Sequence, residues 1–128
     1  MASHKHAAYS GNIEIVQYLL ERGADVNAPA HDDAGMTALQ AAAIQGYLPI
    51  ALWLLQEGAD VLAPGAKKNG RTALDGAAEH GRLDMLQLLL NHLGDDAPIK
   101  DLCEQAASLA EGRRNSIVAK YLREYERV

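Results

Sequence analysis

The sequence predicts an all-α solenoid, in which helix-turn-helix units stack side by side and extended fingers join one unit to the next. Three observations carry that prediction. Glycines recur 35 residues apart in three registers: Gly11, Gly46 and Gly81; Gly23 and Gly58; Gly35 and Gly70. Residues 11–29 laid over 46–64 agree at ten of nineteen positions. The apolar residues between the glycines follow a helical stripe and not the alternation of a strand. Self-similarity at a fixed period of this size marks a repeat architecture.

Each element follows from local chemistry. Thr37 and Thr72 stand where a helix needs a cap, with hydroxyls able to accept from the orphan amides of a first turn. The first helices then run over 38–45 and 73–80 through alanine-rich sequence and stop at Gly46 and Gly81, since glycine reaches the left-handed conformation of a helix end without a Cβ clash. The second helices follow at once, with Leu48, Ala51, Leu54 and Leu55 on one face and Leu83, Leu86, Leu89 and Leu90 as their equivalents. Pro49 falls in a first turn, where its missing N–H costs nothing. Gly23 and Gly58 end the second helices; Ala28-Pro29 and Ala63-Pro64 then open the fingers. Alanine-rich first helices let neighbouring units approach, and leucine-rich second helices supply buried area. One hairpin cannot bury both faces, so the units must stack.

These residues resemble the ankyrin repeat, whose mark is a Thr-Pro-Leu-His-x-Ala-Ala helix start and a later Gly-Ala-Asp-Val-Asn turn. The helix start stands here as Thr37-Ala38-Leu39-Gln40-Ala41-Ala42-Ala43 and as Thr72-Ala73-Leu74-Asp75-Gly76-Ala77-Ala78. The turn stands as Gly23-Ala24-Asp25-Val26-Asn27 and Gly58-Ala59-Asp60-Val61-Leu62. The resemblance covers about 6–95, and the 35-residue spacing is similar to that of long fungal ankyrin arrays. The motif's proline is alanine in both units, and its histidine is Gln40 and Asp75. In the family that histidine ties neighbouring turns together, so the resemblance implies a weakened network and modest stability. Asn27 is similar to the asparagine hydroxylated in some ankyrin proteins, but a turn-stabilising role is the expectation.

The units are expected at 1–34 (a partial N-terminal repeat), 35–69, 70–101 (with an irregular end) and 102–128 (a C-terminal capping hairpin). The third breaks register, since Leu90-Asn91-His92-Leu93-Gly94 has one residue more before its glycine than Leu55-Gln56-Glu57-Gly58. Beyond Pro98 the motif is lost, yet Leu102, Ala106, Leu109 and Ala110, then Ile117, Val118, Tyr121 and Leu122, mark two more helices. Arg113, Arg114, Lys120, Arg123, Glu124, Glu126 and Arg127 give that end the polar surface of a cap. The chain starts level with Ala7-Ala8, half a repeat short. That start predicts a piece of a longer array, with 1–6 an added remnant and an uncapped first repeat open to self-association.

Composition and motifs exclude most chemistry. The 128 residues suit one domain with one core; 48% are apolar, and aromatics are 5% with no phenylalanine, so leucine and alanine must fill the interior. A net charge of −5 disfavours nucleic acid and anionic membrane surfaces as partners. The longest apolar run, 48–55, is far short of the roughly 18–20 residues that span a bilayer. With one cysteine, Cys103, there is neither an internal disulfide nor a multi-thiolate metal site. An intracellular protein, cytoplasmic or nuclear, is expected. His4, His6, His31, His80 and His92 are dispersed without metal-ligand spacing. Asp32-Asp33 and Asp95-Asp96 read as solvated turn acids, with nothing apolar around them to separate their pKa values. Cys103 reads as a buried small hydrophobe. The glycines end helices and cradle no phosphate. Neither catalysis, nor a metal, nor a cofactor is expected.

What remains is surface. The resemblance implies a protein partner seated on the concave face that the fingers and first helices form. In this sequence that face comprises Tyr9 and Ser10; Asp33, Met36, Ile44 and Gln45; then Lys68, Asn69, Arg71, Glu79 and His80. Ala34 belongs to the same row. Met36 and Ile44 are apolar where water favours polar side chains, and with Tyr9 and Arg71 they resemble interface anchors. His31-Asp32-Asp33 against Lys67-Lys68 and Arg71 gives two fingers of opposite sign, which would orient a partner. Leu52 stands where Gln17 and Gln87 stand in other units and is expected to pack along the stack beside Trp53. The function expected is a non-catalytic protein-interaction module. The alternative is a regulatory or structural arm of a longer protein whose contacts are mainly intramolecular.

Overall fold

The computed structural model of the chain describes residues 25–27, 37–65 and 71–126. Six helices account for most of them: α1 (Ala38–Gln45), α2 (Leu48–Gln56), α3 (Ala73–Glu79), α4 (Leu83–Asn91), α5 (Ile99–Gly112) and α6 (Ser116–Arg123). No strand occurs among the described residues. They pair as three hairpins, α1–α2, α3–α4 and α5–α6, and the hairpins stack: α1 lies on α3, α3 on α5, and α2 on α4. This is the solenoid that the 35-residue period predicts.

The helix starts follow the threonines. The Thr37 hydroxyl accepts from the Gln40 N–H, and Thr72 does the same for Asp75. The first helices contribute Ala38, Ala41, Ala42 and Ala43 from α1 and Ala73, Ala77 and Ala78 from α3 to the core. The α3 helix ends at Glu79, one residue earlier than expected, with His80 as its C-terminal cap. The second helices bury Ile50, Ala51, Leu54 and Leu55 on α2, and Met85, Leu86, Leu89 and Leu90 on α4. The stripe is therefore rotated from the expected one. Leu48 and Leu83, in the first turns, are only half-buried because they border a groove between hairpin turns.

The third unit absorbs its extra residue without losing its core. Leu93, aligned with Gly58, turns inward and is buried. In the last hairpin Cys103, Ala106, Ala107 and Ala110 of α5 meet Val118, Ala119 and Leu122 of α6. Ile117, expected in that stripe, is instead 75% exposed, for the α6 face that meets α5 is centred on 118, 119 and 122. The charges of the cap are organised: Nε and Nη2 of Arg123 fork onto the Glu104 carboxylate, each at 3.1 Å, and Nη1 holds Glu111. Leu52 also departs from expectation. It is 41% exposed and does not bury itself along the stack, whereas Gln87 in the equivalent position stands beside Tyr121 of the next hairpin.

Leu54→Ala and Leu89→Ala should each cost about 2–5 kcal/mol, because both leucines are fully buried between helices. Urea unfolding followed by circular dichroism would measure it, and a change within about 0.5 kcal/mol would misplace the core. Two glycines separate backbone strain from crowding. Gly58 has φ +95° with open space where a Cβ would stand, so Gly58→Ala should cost only the left-handed penalty, about 1–2 kcal/mol. Gly81 has φ +68°, and its Cβ would stand 2.5 Å from the Asn115 amide that caps α6, so Gly81→Ala should cost clearly more.

Candidate protein-binding surface

Of the residues expected on the concave face, Tyr9, Ser10, Asp33, Met36, Lys68 and Asn69 lie outside the described residues. Ile44, Gln45, Arg71, Glu79 and His80 are described. Ile44 and Gln45 end α1, Glu79 ends α3, His80 follows it, and Arg71 precedes the Thr72 cap. The structure brings three of them together around Gly76. A Cβ built on Gly76 would stand 3.0 Å from Cγ1 of Ile44 and 3.7 Å from Cβ of Arg71. Ile44 therefore fills the α1–α3 seam over a residue without a side chain and keeps only its outer part open, being half-buried. That differs from a free-standing apolar anchor.

The charges of this face are tied to one another. The Nε of Arg71 donates to Oε2 of Glu79 at 3.3 Å, and Nη2 of Arg113 lies 3.6 Å from Oε1. Glu79, only 14% exposed, thus joins the start of its own hairpin to the end of α5 in the next unit. The Arg71 arm of the network is the closer one, while Arg113 remains largely in water. His80 is exposed, and the Gly76 carbonyl accepts from its Nδ1 at 2.9 Å, which leaves the other ring nitrogen outward. Arg113 was not legible as a member of this face, because the cap has left the repeat register and only the fold sets it beside Glu79.

Beneath the surface lie the two residues that replace the motif's histidine. The expected weakening of the network does not occur at Gln40. Its side-chain carbonyl accepts from the Thr37 N–H at 3.0 Å, completing a capping box with the hydroxyl. Its Nε2 donates to the carbonyls of Ala63 and Pro64, at 3.0 and 3.1 Å, at the root of the next finger. One buried amide therefore caps a helix and fastens a finger. The Thr37-x-x-Gln40 spacing was the sequence signal for the cap. Asp75 is different. It is 5% exposed, and Oδ2 accepts from Nε2 of Gln105 on α5 at 2.6 Å. Burial pushes its pKa up, against the hydrogen bonds from Gln105 and Thr72 and the charge of Arg71, while Glu79 adds repulsion.

The turn ladder is also partly kept. The Asn27 amide donates to the Gly58 carbonyl at 3.0 Å and its oxygen accepts from the Asp60 N–H at 2.7 Å, so one side chain links two successive turns. Asp25 and Asp60 each accept from the N–H two residues on, at 2.9 Å. Asn27 thus has the turn-stabilising role expected of it. Cys103 is buried and its thiol pKa is pushed up by desolvation, which disfavours a nucleophilic thiolate. No group of three metal-ligating side chains occurs among the described residues, and no helix there is long and apolar enough to cross a membrane.

Gln40→Ala should cost about 1–3 kcal/mol, since it leaves buried backbone groups without a partner; a thermal melt compared with wild type measures it. Asp75 gives a pH test. Its folded pKa lies above the unfolded value, so the ionised form opposes folding near neutrality and that cost disappears as pH falls through the folded pKa. Asp75→Asn, which keeps an acceptor for Gln105, should be more stable than wild type at pH 7. Its advantage should shrink toward pH 4 in parallel denaturation curves, and an advantage independent of pH would contradict the assignment.

A comparison with curated proteins finds no match. The family model for ankyrin repeats does match, in three copies, over residues 6–101. Three quarters of the sequence is thus accounted for by a pattern whose caps, seams and turns are those just described. The chain belongs to the ankyrin-repeat family.

Proposed function

We propose that this chain is a non-catalytic binding module that seats a protein partner on the face formed by its fingers and first helices. Ankyrin repeats are, as a family, protein-interaction modules. The observation that carries the reading to this face is the Glu79 bridge. A carboxylate held by Arg71 on one side and facing Arg113 on the other links the surface of two units, with the outer part of half-buried Ile44 beside it. Tyr9, Ser10, Asp33, Met36, Gln45, Lys68, Asn69 and His80 complete the proposed contact set. Units at 1–34, 35–69 and 70–101, closed by a capping hairpin at 102–128, are the proposed division of the stack. A reducing, intracellular compartment suits a chain with a single buried thiol.

The test compares partner capture from native lysate by wild type and by a variant carrying Met36→Glu, Gln45→Glu and Lys68→Glu. Ile44 and Arg71 are left in place because they hold the α1–α3 seam and the Glu79 bridge. A melting temperature close to wild type establishes that the variant is folded. A partner retained by wild type and weakened at least tenfold in the variant supports the proposal. Equal capture by both would move the binding surface elsewhere.

A further inference from the structure

The three hairpin turns lie side by side. The Arg82 side chain packs over Gly46 of the preceding turn, and its Nε donates to the Ile44 carbonyl at 3.0 Å. Asn115 of the third turn closes over Gly81 of the second. Each turn therefore touches the next, and together they form one edge of the stack. In order, that edge carries Gln45-Gly46-Tyr47, His80-Gly81-Arg82 and Arg113-Arg114-Asn115. These nine described residues carry three guanidinium groups and one imidazole, flanked by the carboxylates of Glu79, Asp84 and Glu111, in a chain whose net charge is −5.

The neighbouring acids are mostly engaged. Glu79 is bridged by Arg71 and Arg113, and Glu111 is held by Arg123. Asp84 borders the shallow groove that opens between the first two turns, with Gly46, Leu48, Gly81, Arg82 and Leu83. The opposite edge, where the second helices end, carries Glu57, Asp60, Asp95 and Asp96. Lys100, at the start of α5, lies at that edge as well, so the acids there are in excess but not alone. Among the described residues, Arg82 uses only Nε, Arg113 is 65% exposed with one contact at 3.6 Å, and exposed Arg114 is held at φ +60°. Most guanidinium donors on this edge face water.

We propose that the hairpin-turn edge binds an acidic peptide segment, its Asp and Glu side chains meeting Arg82, Arg113 and Arg114. A guanidinium fork matches a carboxylate with two parallel hydrogen bonds. An extended peptide sets side chains of one face about 6.6–6.8 Å apart, so a short acidic run can present several carboxylates along the edge. A polynucleotide suits the edge less well, because its long phosphate run would extend past the turns onto a net negative protein.

Fluorescence anisotropy with a fluorescein-labelled hexaglutamate peptide, at about 25 mM salt, tests the proposal. Saturable binding by the full chain is expected. Arg114→Gly removes one charge while suiting the positive φ, so it should fold at least as well as wild type and weaken binding about fivefold or more. Arg113→Gln with Arg114→Gly should abolish measurable binding. Lys100→Gln removes the same charge at the far end of α5, about 20 Å away, and should leave the affinity within about twofold. Absence of hexaglutamate binding by wild type overturns the proposal. So does an equal loss in Lys100→Gln, or equally tight binding of an oligothymidylate of the same charge, since either would reduce the effect to non-specific electrostatics.

Discussion

Everything in this stack depends on the first helices lying close together, and their approach depends on side chains no larger than a methyl group. Ala38, Ala41, Ala42 and Ala43 of α1 and Ala73, Ala77 and Ala78 of α3 are all buried where the two helices meet their neighbours, with Gly76 where even a methyl would crowd Ile44. The third hairpin continues the rule with Ala106, Ala107 and Ala110. Close approach places the capping groups of one unit within reach of the next, so Gln40 meets a finger and Asp75 meets Gln105. The leucines of the second helices supply most of the buried area, but they would stack loosely if the alanine seam were wider.

The same motif position serves two different chemistries. An amide at Gln40 can donate and accept at once, and it uses both capacities without any charge to desolvate. A carboxylate at Asp75 only accepts when ionised and is disfavoured by burial, so its seam with α5 depends on Gln105 to satisfy it. The joint between the regular repeats and the terminal hairpin is therefore the more conditional of the two. Its outer side is reinforced by the Glu79–Arg113 contact, which sits over the same helices.

Much of this was legible in the sequence because period, caps and apolar stripes are local properties. Thr37, Thr72, Gly46 and Gly81 announced where helices begin and end, and the buried place of Cys103 followed from its neighbours. What escaped was whatever depends on a partner from another unit. The rotation of the α2 face toward Ile50 reflects α4 lying alongside, and the exposure of Leu52 and Ile117 reflects where the neighbouring helix does not reach. Gln40 looked like a lost histidine until the carbonyls of Ala63 and Pro64 were found beside it. Arg113 could not be assigned to a face, since residues past Pro98 no longer follow the period that gave the other positions their places.

The turn ladder has a consequence for how successive units are joined. Asn27 ties its own turn to that of the following unit, but Leu62 occupies the same place one unit later and has no polar atom to repeat the bridge. That joint is fastened along its helix-turn edge by Arg82 on the Ile44 carbonyl and by Ile44 over Gly76. It is bound along one margin and lacks the asparagine clasp along the other. Like a book stitched differently at successive folds, the described stack holds one joint with a side-chain clasp between turns and the next with its spine and with Gln40 on the finger root.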